Sequence, residues 1–405
     1  MRRPREIGFL FASRSIRLFA YGLASTVLAL HLAALGYGAG GIGLLLSLTL
    51  VGDTVISLGF SLKADAIGRR QTLILGAGLM ALAGLAFAMG SGFALLCVAA
   101  TIGVISPSGN EVGPFLAIEQ AALAQVVVAE RRPLLFAWYH LAGAFASAGG
   151  ALAAGWGVHA LTTVGWTDVG GYRAVFGLYG ALGILQLAPF LMLGRGVEVP
   201  LEERGPSAKF GLHRSRAKVL RLCALFSLDS FGGGFVVQAF LAYWFHVKFG
   251  ARPEAIGSIL FGANLLSGLS GLPAAWLARR IGLVNTMVWT HLPSNVLLAA
   301  VPFMPNFGWA IGCLLARFSI SQMDVPTRQA FTIAVVEPDE RSAAAGMAGV
   351  ARTIGASLSP ILSGSLVAAS WLGTPFGLAG GLKIVYDLLL LKGFRDLDNA
   401  APPVV

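Results

Sequence analysis

Charge is scarce in this chain. Asp, Glu, Lys and Arg make up 12% of its 405 residues and hydrophobic residues 56%, and a mean hydropathy of +0.76 lies outside what a water-soluble domain tolerates. Cysteine is scarce too. Cys97, Cys223 and Cys313 each sit inside an apolar stretch, an odd, wide spacing that excludes a disulfide framework and a zinc site and leaves packed thiols. The histidines, His31, His140, His159, His213, His246 and His291, are scattered, with no His-Glu-x-x-His. There is no Gly-x-Ser-x-Gly and no phosphate loop ending in Gly-Lys-Ser/Thr, so hydrolase and ATP-driven chemistry find no site in this sequence. "GYGAGG" fits Gly-x-Gly-x-x-Gly at Gly36, Gly38 and Gly41, but it joins two apolar stretches and follows no strand, which fails the context a dinucleotide site needs. No cofactor and no metal are expected. The net charge of +10 comes without a basic domain or a Lys/Arg run interleaved with aromatics, so nucleic acid is not an expected partner.

What the chain does have is apolar runs of membrane-spanning length. They predict twelve helices, near 8–35, 42–63, 70–90, 93–128, 133–160, 172–194, 217–248, 254–278, 282–303, 307–336, 340–370 and 373–394. The first follows a positive head, "MRRPR", but shows no clear cleavage site, so it is read as a retained membrane helix. A charged segment, "RGVEVPLEERGPSAKFGLHRSR", separates six helices from six. The expected organisation is a bundle at 1–194, a linker at 195–216, a second bundle at 217–396 and a tail at 397–405. Lys and Arg concentrate on alternate connections: Arg2, Arg3 and Arg5, then Lys63, Arg69 and Arg70, then Arg131 and Arg132, the linker, Arg279 with Arg280, Arg341, and Lys392 with Arg395. By the positive-inside rule both termini and the linker face the cytoplasm. Arg173, Lys248 and Arg252 break the pattern.

The two halves resemble each other. "AERRPLLFAWYHLAGAFASAGG" enters helix 5 as "PDERSAAAGMAGVARTIGASLSP" enters helix 11, and "KADAIGRR" after helix 2 has a counterpart in "LARRIGLV" after helix 8. Duplicated six-helix halves joined by a polar linker are the plan of a transporter that rocks one bundle against the other. With these residues the chain resembles the major facilitator superfamily. That family's loop between helices 2 and 3, Gly-x-x-x-Asp-Arg-x-Gly-Arg-Arg, is matched in "SLKADAIGRR" by Asp65, Gly68, Arg69 and Arg70, while Ser61 replaces its first glycine and Ala66 its first arginine. The resemblance implies an all-α integral membrane protein of twelve helices in two pseudo-symmetric bundles. It also implies a cytoplasmic latch carried by the four matching residues. "GAFASAGG" on helix 5 and "GASLSPILSG" on helix 11 are similar to a small-residue motif associated with exporters, and equally serve close helix packing.

The resemblance also assigns helices 1, 4, 7 and 10 to a central cavity, and intramembrane polar residues occur on all four. They are Tyr21 on helix 1, Asn110, Glu111, Glu119 and Gln120 on helix 4, Asp229 and Gln238 on helix 7, and Asp324 and Arg328 on helix 10. Each carboxylate near the bilayer centre costs roughly 2.5 to 3.5 kcal/mol on insertion scales, so such residues line a wet path or pair with one another. "SGNEVGP" is expected to break helix 4. Counting residues from the cytoplasmic end puts Arg17 level with Glu119 and Asp53 level with Arg352, which makes both candidates for structural ion pairs. By the same count the cationic neighbour of Glu111 is Arg317.

The expected function is a secondary transporter, not an enzyme, with partners a small-molecule substrate, protons and the lipid bilayer. Proton coupling is assigned to Glu111, Asp229 and Glu119, and the substrate cavity to Tyr21, Asn110, Gln120, Gln238, Asp324 and Arg328. The helix 5 motif leans the reading to efflux by antiport. A monomer in the cell membrane is expected. A membrane-embedded enzyme or a non-transporting receptor is the alternative, and it would need a convergent catalytic set or an extramembrane domain.

Overall fold

The structure is a computed structural model. It describes residues 4–111, 113, 115–128, 131–194, 214–337 and 340–400, with the side chains of 4, 61–66, 133, 342 and 395–400 outside the description. Among the described residues all regular structure is helical. Helices 1, 2 and 3 are Pro4–Ala34, Ala39–Ile67 and Arg69–Met89. Helix 4 is two pieces, Phe93–Ile102 and Phe115–Val126. Helix 5 is Arg132–Thr163, and helix 6 is Asp168–Leu185 continued by Leu187–Met192. Helix 7 is Arg216–Gly234 and Gln238–Phe249, helix 8 Pro253–Ser270 and Ala274–Ile281, and helix 9 Leu283–Ala300. Helix 10 is Phe307–Phe318 and Asp324–Ala334, helix 11 Arg341–Ala368 and helix 12 Thr374–Ala400. Among the described residues eight helical stretches are long and apolar enough to cross a membrane, and a ninth is so if helix 8, bent by 45°, counts as one span. Helices 4 and 10 fall short because each is broken in the middle, and helix 9 because it carries Thr286, Thr290, His291, Ser294 and Asn295.

The expected break in helix 4 is present, and several of its backbone groups have partners. Gly109 and Gly113 have φ of +68° and +76°, a region that favours glycine, and they turn the chain out of the helix. The freed carbonyls then find donors on surrounding elements. Tyr179 Oη donates to Val104 O at 3.1 Å, the Ala239 N–H to Pro107 O at 2.9 Å, Ser147 Oγ to Gly109 O at 2.7 Å and Ser106 Oγ to Asn110 O at 2.7 Å. The Gly113 N–H donates to Asp53 Oδ1. An irregular backbone at membrane depth is tolerable on this condition alone.

Small residues set the helix packing in both halves. A Cβ on Gly22 would lie 2.1 Å from Ser147 O, and one on Gly150 1.9 Å from Phe19 O, so helices 1 and 5 meet backbone to backbone. Helices 7 and 11 repeat this, with Gly234 against Ala356 O and Gly355 against Ser227 O, each at 2.3 Å. Gly150 and Gly355 belong to the two small-residue stretches read in the sequence, and close packing is what they serve here.

The N-terminus of helix 7 is closed by an anion. The backbone N–H groups of Arg214 and Ser215 donate to the two carboxylate oxygens of buried Glu340, both at 2.9 Å, satisfying two otherwise unpaired donors and complementing the helix dipole. Glu340 is the acid of the acid-Arg pair that opens helix 11. Its first-half counterpart, Glu130, lies outside the described residues.

Compactness divides the chain into Met1–Ser207 with Gln238–Phe261, and Ala208–Val237 with Gly262–Val405. The expected halves at 1–194 and 217–396 follow the sequence repeat, whereas the compact units follow packing and cut helices 7 and 8. Within the first unit Gln238 Nε2 donates to Ser25 Oγ at 2.8 Å, Trp156 Nε1 to Ser258 Oγ at 3.1 Å, and Gly155 and Gly257 leave no room for a side chain between them. Two of the basic residues that break the charge pattern are also placed in this unit. Lys248 Nζ lies 5.0 Å from the Trp244 ring centre, and Arg252 lines a cavity of about 340 Å³ with Asp168 and Glu254.

Gly150→Val should force helices 1 and 5 apart and lower stability by at least about 1 to 3 kcal/mol, read as earlier thermal unfolding in detergent. Gly157→Val on the same helix, where nothing lies within 4 Å of the added Cβ, should unfold near the wild-type temperature.

Candidate functional site

Each unit holds one buried cluster of charge. In the first, Ser13, Arg14 and Arg17 occupy one face of helix 1 at helical spacing. Arg17 donates from Nε to Glu111 Oε1 at 2.7 Å and from both terminal nitrogens to Glu119, at 2.8 and 2.6 Å. Arg14 reaches Glu111 Oε2 at 2.7 Å. Ser13 Oγ donates to Glu119 Oε1 at 2.9 Å, and Tyr139 Oη donates to Glu119 Oε2. Arg14 stacks on the Tyr139 ring and Arg17 on Phe115, at 4.4 and 4.5 Å. Arg17 and Glu119 are both fully buried, and a bidentate guanidinium on a carboxylate whose lone pairs are all engaged is the geometry that compensates such burial.

The pairing of Arg17 with Glu119 is thus present. The expectation that Arg317 neighbours Glu111 is corrected, because Glu111 belongs to Arg14 and Arg17. Depth counting assumes 1.5 Å of rise per residue, and the described residues from 103 to 113 are not helical. The other polar residues of helix 4 sit at the edge of the cluster. Gln120 Nε2 lies 3.3 Å from His140 Nε2, and Asn110 is exposed. Tyr21 is fully buried on helix 1.

In the second unit Asp229 of helix 7 takes Lys383 Nζ on Oδ1 at 2.6 Å and Arg328 on Oδ2 at 3.2 Å. Arg328 also holds Asp324, one helical turn before it, at 3.0 Å. Behind Asp229, His291 Nδ1 meets Asp387 Oδ1 at 2.8 Å and Asn295 Nδ2 donates to Asp387 Oδ2 at 2.9 Å. Both clusters therefore contain a balanced quartet. Arg14 and Arg17 face Glu111 and Glu119, and Lys383 and Arg328 face Asp229 and Asp324.

Asp53 and Arg352, expected to pair, each have partners within their own unit. Asp53 Oδ1 accepts from Ser57 Oγ at 2.9 Å as well as from Gly113, and Arg352 Nε donates to Ser230 Oγ at 3.3 Å. Of the latch residues, Gly68 has a φ of +111° at the head of helix 3, and Arg69 is buried. Arg70 donates to the carbonyls of Phe190 and Leu191, at 3.1 and 2.8 Å, at the end of helix 6. The Asp65 side chain lies outside the described residues. No group of three or more described His, Cys, Asp or Glu side chains could hold a metal.

Sequence reasoning missed Arg14, Tyr139, His291, Asn295, Lys383 and Asp387. The last four stand at i, i+4 spacing, His291 with Asn295 on helix 9 and Lys383 with Asp387 on helix 12. That spacing, read as one polar face on each helix, was the available signal.

Apolar helices repeated between two halves, with helices 4 and 10 both broken in the middle and a buried set of paired charges in each unit, fit a multi-pass membrane protein of the transporter type. The chain belongs to the Major Facilitator Superfamily, whose family model matches residues 10–321. It is 31% identical over 425 residues to an uncharacterized membrane protein of Saccharomyces cerevisiae, YJR124C, covering 97% of this chain and 95% of that one. Among solved structures it is similar to a D-xylose-proton symporter, with a TM-score of 0.75 at 16% identity over 95% of this chain and 97% of that chain. The nucleoside transporter NupG is similar with a TM-score of 0.74 at 14% identity, over 96% and 99%. The chain is a membrane transporter by family, not an enzyme.

Arg17→Gln leaves two buried carboxylates short of a partner and should cost about 3 to 5 kcal/mol. Arg17→Gln with Glu119→Gln should recover part of that loss, the difference appearing as a coupling energy in a double-mutant cycle of thermal or denaturant unfolding. Additive losses would mean that the two side chains do not act as a pair.

Proposed function

We propose that this chain is a proton-coupled secondary transporter that moves a small polar solute by alternating access. The observation that carries the reading is the pair of balanced quartets, one per unit, on helices 1 and 4 and on helices 7, 10 and 12. A buried ion pair is weak support for stability, since an apolar replacement is often as good. Acids held on broken helices and paired with bases suit a site where a proton or a solute charge takes one partner's place. Glu111, Glu119 and Asp229 are the acids, and Tyr21, Gln120, Gln238, Asp324 and Arg328 belong to the solute's surroundings. Quartets of zero net charge favour a zwitterionic or neutral polar solute over a strongly charged one, because such a solute leaves the count balanced.

Cytoplasmic termini, residence in the cell membrane and a monomeric state are part of the reading and follow from the Lys/Arg asymmetry and the single-chain plan. Asp53 and Arg352 are proposed to pair in another state of the cycle, where Asp65 closes the latch. Efflux by antiport is the direction proposed, on the resemblance of helices 5 and 11 to the exporter motif, although packing employs the glycines of both stretches.

The test is flux of a panel of labelled polar compounds in vesicles with an imposed pH gradient, in both orientations. A compound driven outward against an inward proton gradient is expected. No gradient-dependent flux across the panel would sink proton coupling, and inward-driven flux would reverse the direction. For the compound found, Glu111→Gln should lower gradient-driven flux roughly tenfold more than exchange at equal pH. Equal loss in both would make Glu111 a solute ligand.

A further inference from the structure

We infer that the proton-accepting site of the second unit is the His291–Asp387 pair between helices 9 and 12, rather than Asp229, and that it acts on helix 7 by competing with Lys383 for one oxygen of Asp229. The inference rests on the proton-coupled reading above and names where the proton sits.

Charge counting excludes the obvious acid. Protonating Asp229 would strand Lys383, which it holds at 2.6 Å, and protonating Asp324 would leave Arg328 half-paired. An unpaired buried charge costs several kcal/mol. A carrier must gain and lose a proton without stranding its neighbours. His291 meets that condition. With the ring neutral, Nδ1–H donates to Asp387 at 2.8 Å and the Nε2 lone pair points toward Asp229 Oδ1 at 3.7 Å, beyond hydrogen-bond length. With the ring protonated, the imidazolium stands between two carboxylates, Asp387 and Asp229, and no cation loses its only partner. Asn295 Nδ2 holds Asp387 Oδ2 in both states.

The described titratable groups around His291 stand on helices 7, 10, 11 and 12. Helix 7 presents Asp229, the second piece of helix 10 presents Arg328 and Asp324, and helix 12 presents Lys383, Asp387 and Tyr386, whose ring centre is 5.9 Å away. Arg317 on the first piece of helix 10 and Arg352 on helix 11 interact electrostatically with Asp229 and Asp324. On helix 9 itself Asn295 is the polar neighbour, with its Oδ1 buried and without a partner.

The mechanical consequence lies in Asp229 Oδ1. Protonation forms one N–H bond at His291 Nε2, with the proton supplied by whichever aqueous side is open and later released from the same atom to the other side. That N–H then shares Asp229 Oδ1 with Lys383 Nζ, since a carboxylate oxygen has two lone pairs, so the hold on Lys383 weakens without being lost. Its side chain lies along the glycines of helix 7. A Cβ on Gly232 would be 3.0 Å from Lys383 Cγ, and one on Gly233 3.5 Å from its Nζ. These glycines immediately precede the break at 235–237. Movement of Lys383 therefore reaches the break in helix 7.

The test is a pH titration, from about 5 to about 9, of the full chain labelled with 15N-histidine in micelles. One imidazole transition is expected that disappears in His291→Gln and moves in Asp387→Asn and Lys383→Gln. If His291→Gln does not fold, the shift in Asp387→Asn identifies the resonance. An His291 ring that stays in one state across the range overturns the inference. In vesicles, with the compound found above, His291→Gln and Asp387→Asn should each lower gradient-driven flux roughly tenfold more than equal-pH exchange and flatten the pH profile. Equal losses with an unchanged profile would make the pair structural. Wild-type flux indifferent to the gradient would instead refute proton coupling, a result distinguishable from failure of the pair.

Discussion

Inside a membrane protein a charge has to be neutralised within reach of its own side chain, because neither water nor mobile ions are there to do it. This constraint orders the whole chain. It removes Asp, Glu, Lys and Arg from most of the sequence, and among the described residues it gathers many of those in the interior into two sets with equal numbers of each sign. It also explains why the sets need aromatic and hydroxyl neighbours. Ser13 and Tyr139 take up lone pairs on Glu119 that Arg17 leaves open, and the guanidinium faces of Arg14 and Arg17 are covered by rings.

The same requirement governs the backbone. An unbroken helix satisfies its own amides, so helix 1 can cross as one piece from Pro4 to Ala34 and act as the rail against which helix 5 packs. A broken helix has to borrow partners, and helix 4 borrows from helices 2, 5, 6 and 7. The glycine contacts between helices 1 and 5 and between helices 7 and 11 make such borrowing possible, because backbones that touch bring short side chains such as Ser147 within reach of a neighbouring carbonyl.

The architecture was legible in the sequence because its causes are local. Run length gives the spans, Lys and Arg give the alternation of connections, and the duplicated entries to helices 5 and 11 give the two halves. Arg17 with Glu119 was legible because the helices that carry them are regular between each residue and the membrane edge. Glu111 was misplaced because a Gly-rich break resets depth by an amount that no residue count supplies. Lys383, His291 and Asp387 were passed over for another reason. Attention went to helices 1, 4, 7 and 10, while the partners of a charge on helix 7 stand on the helices behind it. Which distant acid meets which base depends on helix rotation, and that is set by packing.

The described residues between 103 and 113 are irregular, yet their groups are tied to four different helices, each bond requiring a particular residue to stand at a particular place. Replacing a side chain in this stretch, apart from Glu111 and the two glycines at positive φ, leaves these backbone ties in place. Inserting or deleting a single residue shifts Val104, Pro107, Gly109 and Gly113 out of step with Tyr179, Ala239, Ser147 and Asp53 together. Its length is therefore a tighter constraint than its spelling, the reverse of what holds for a surface loop.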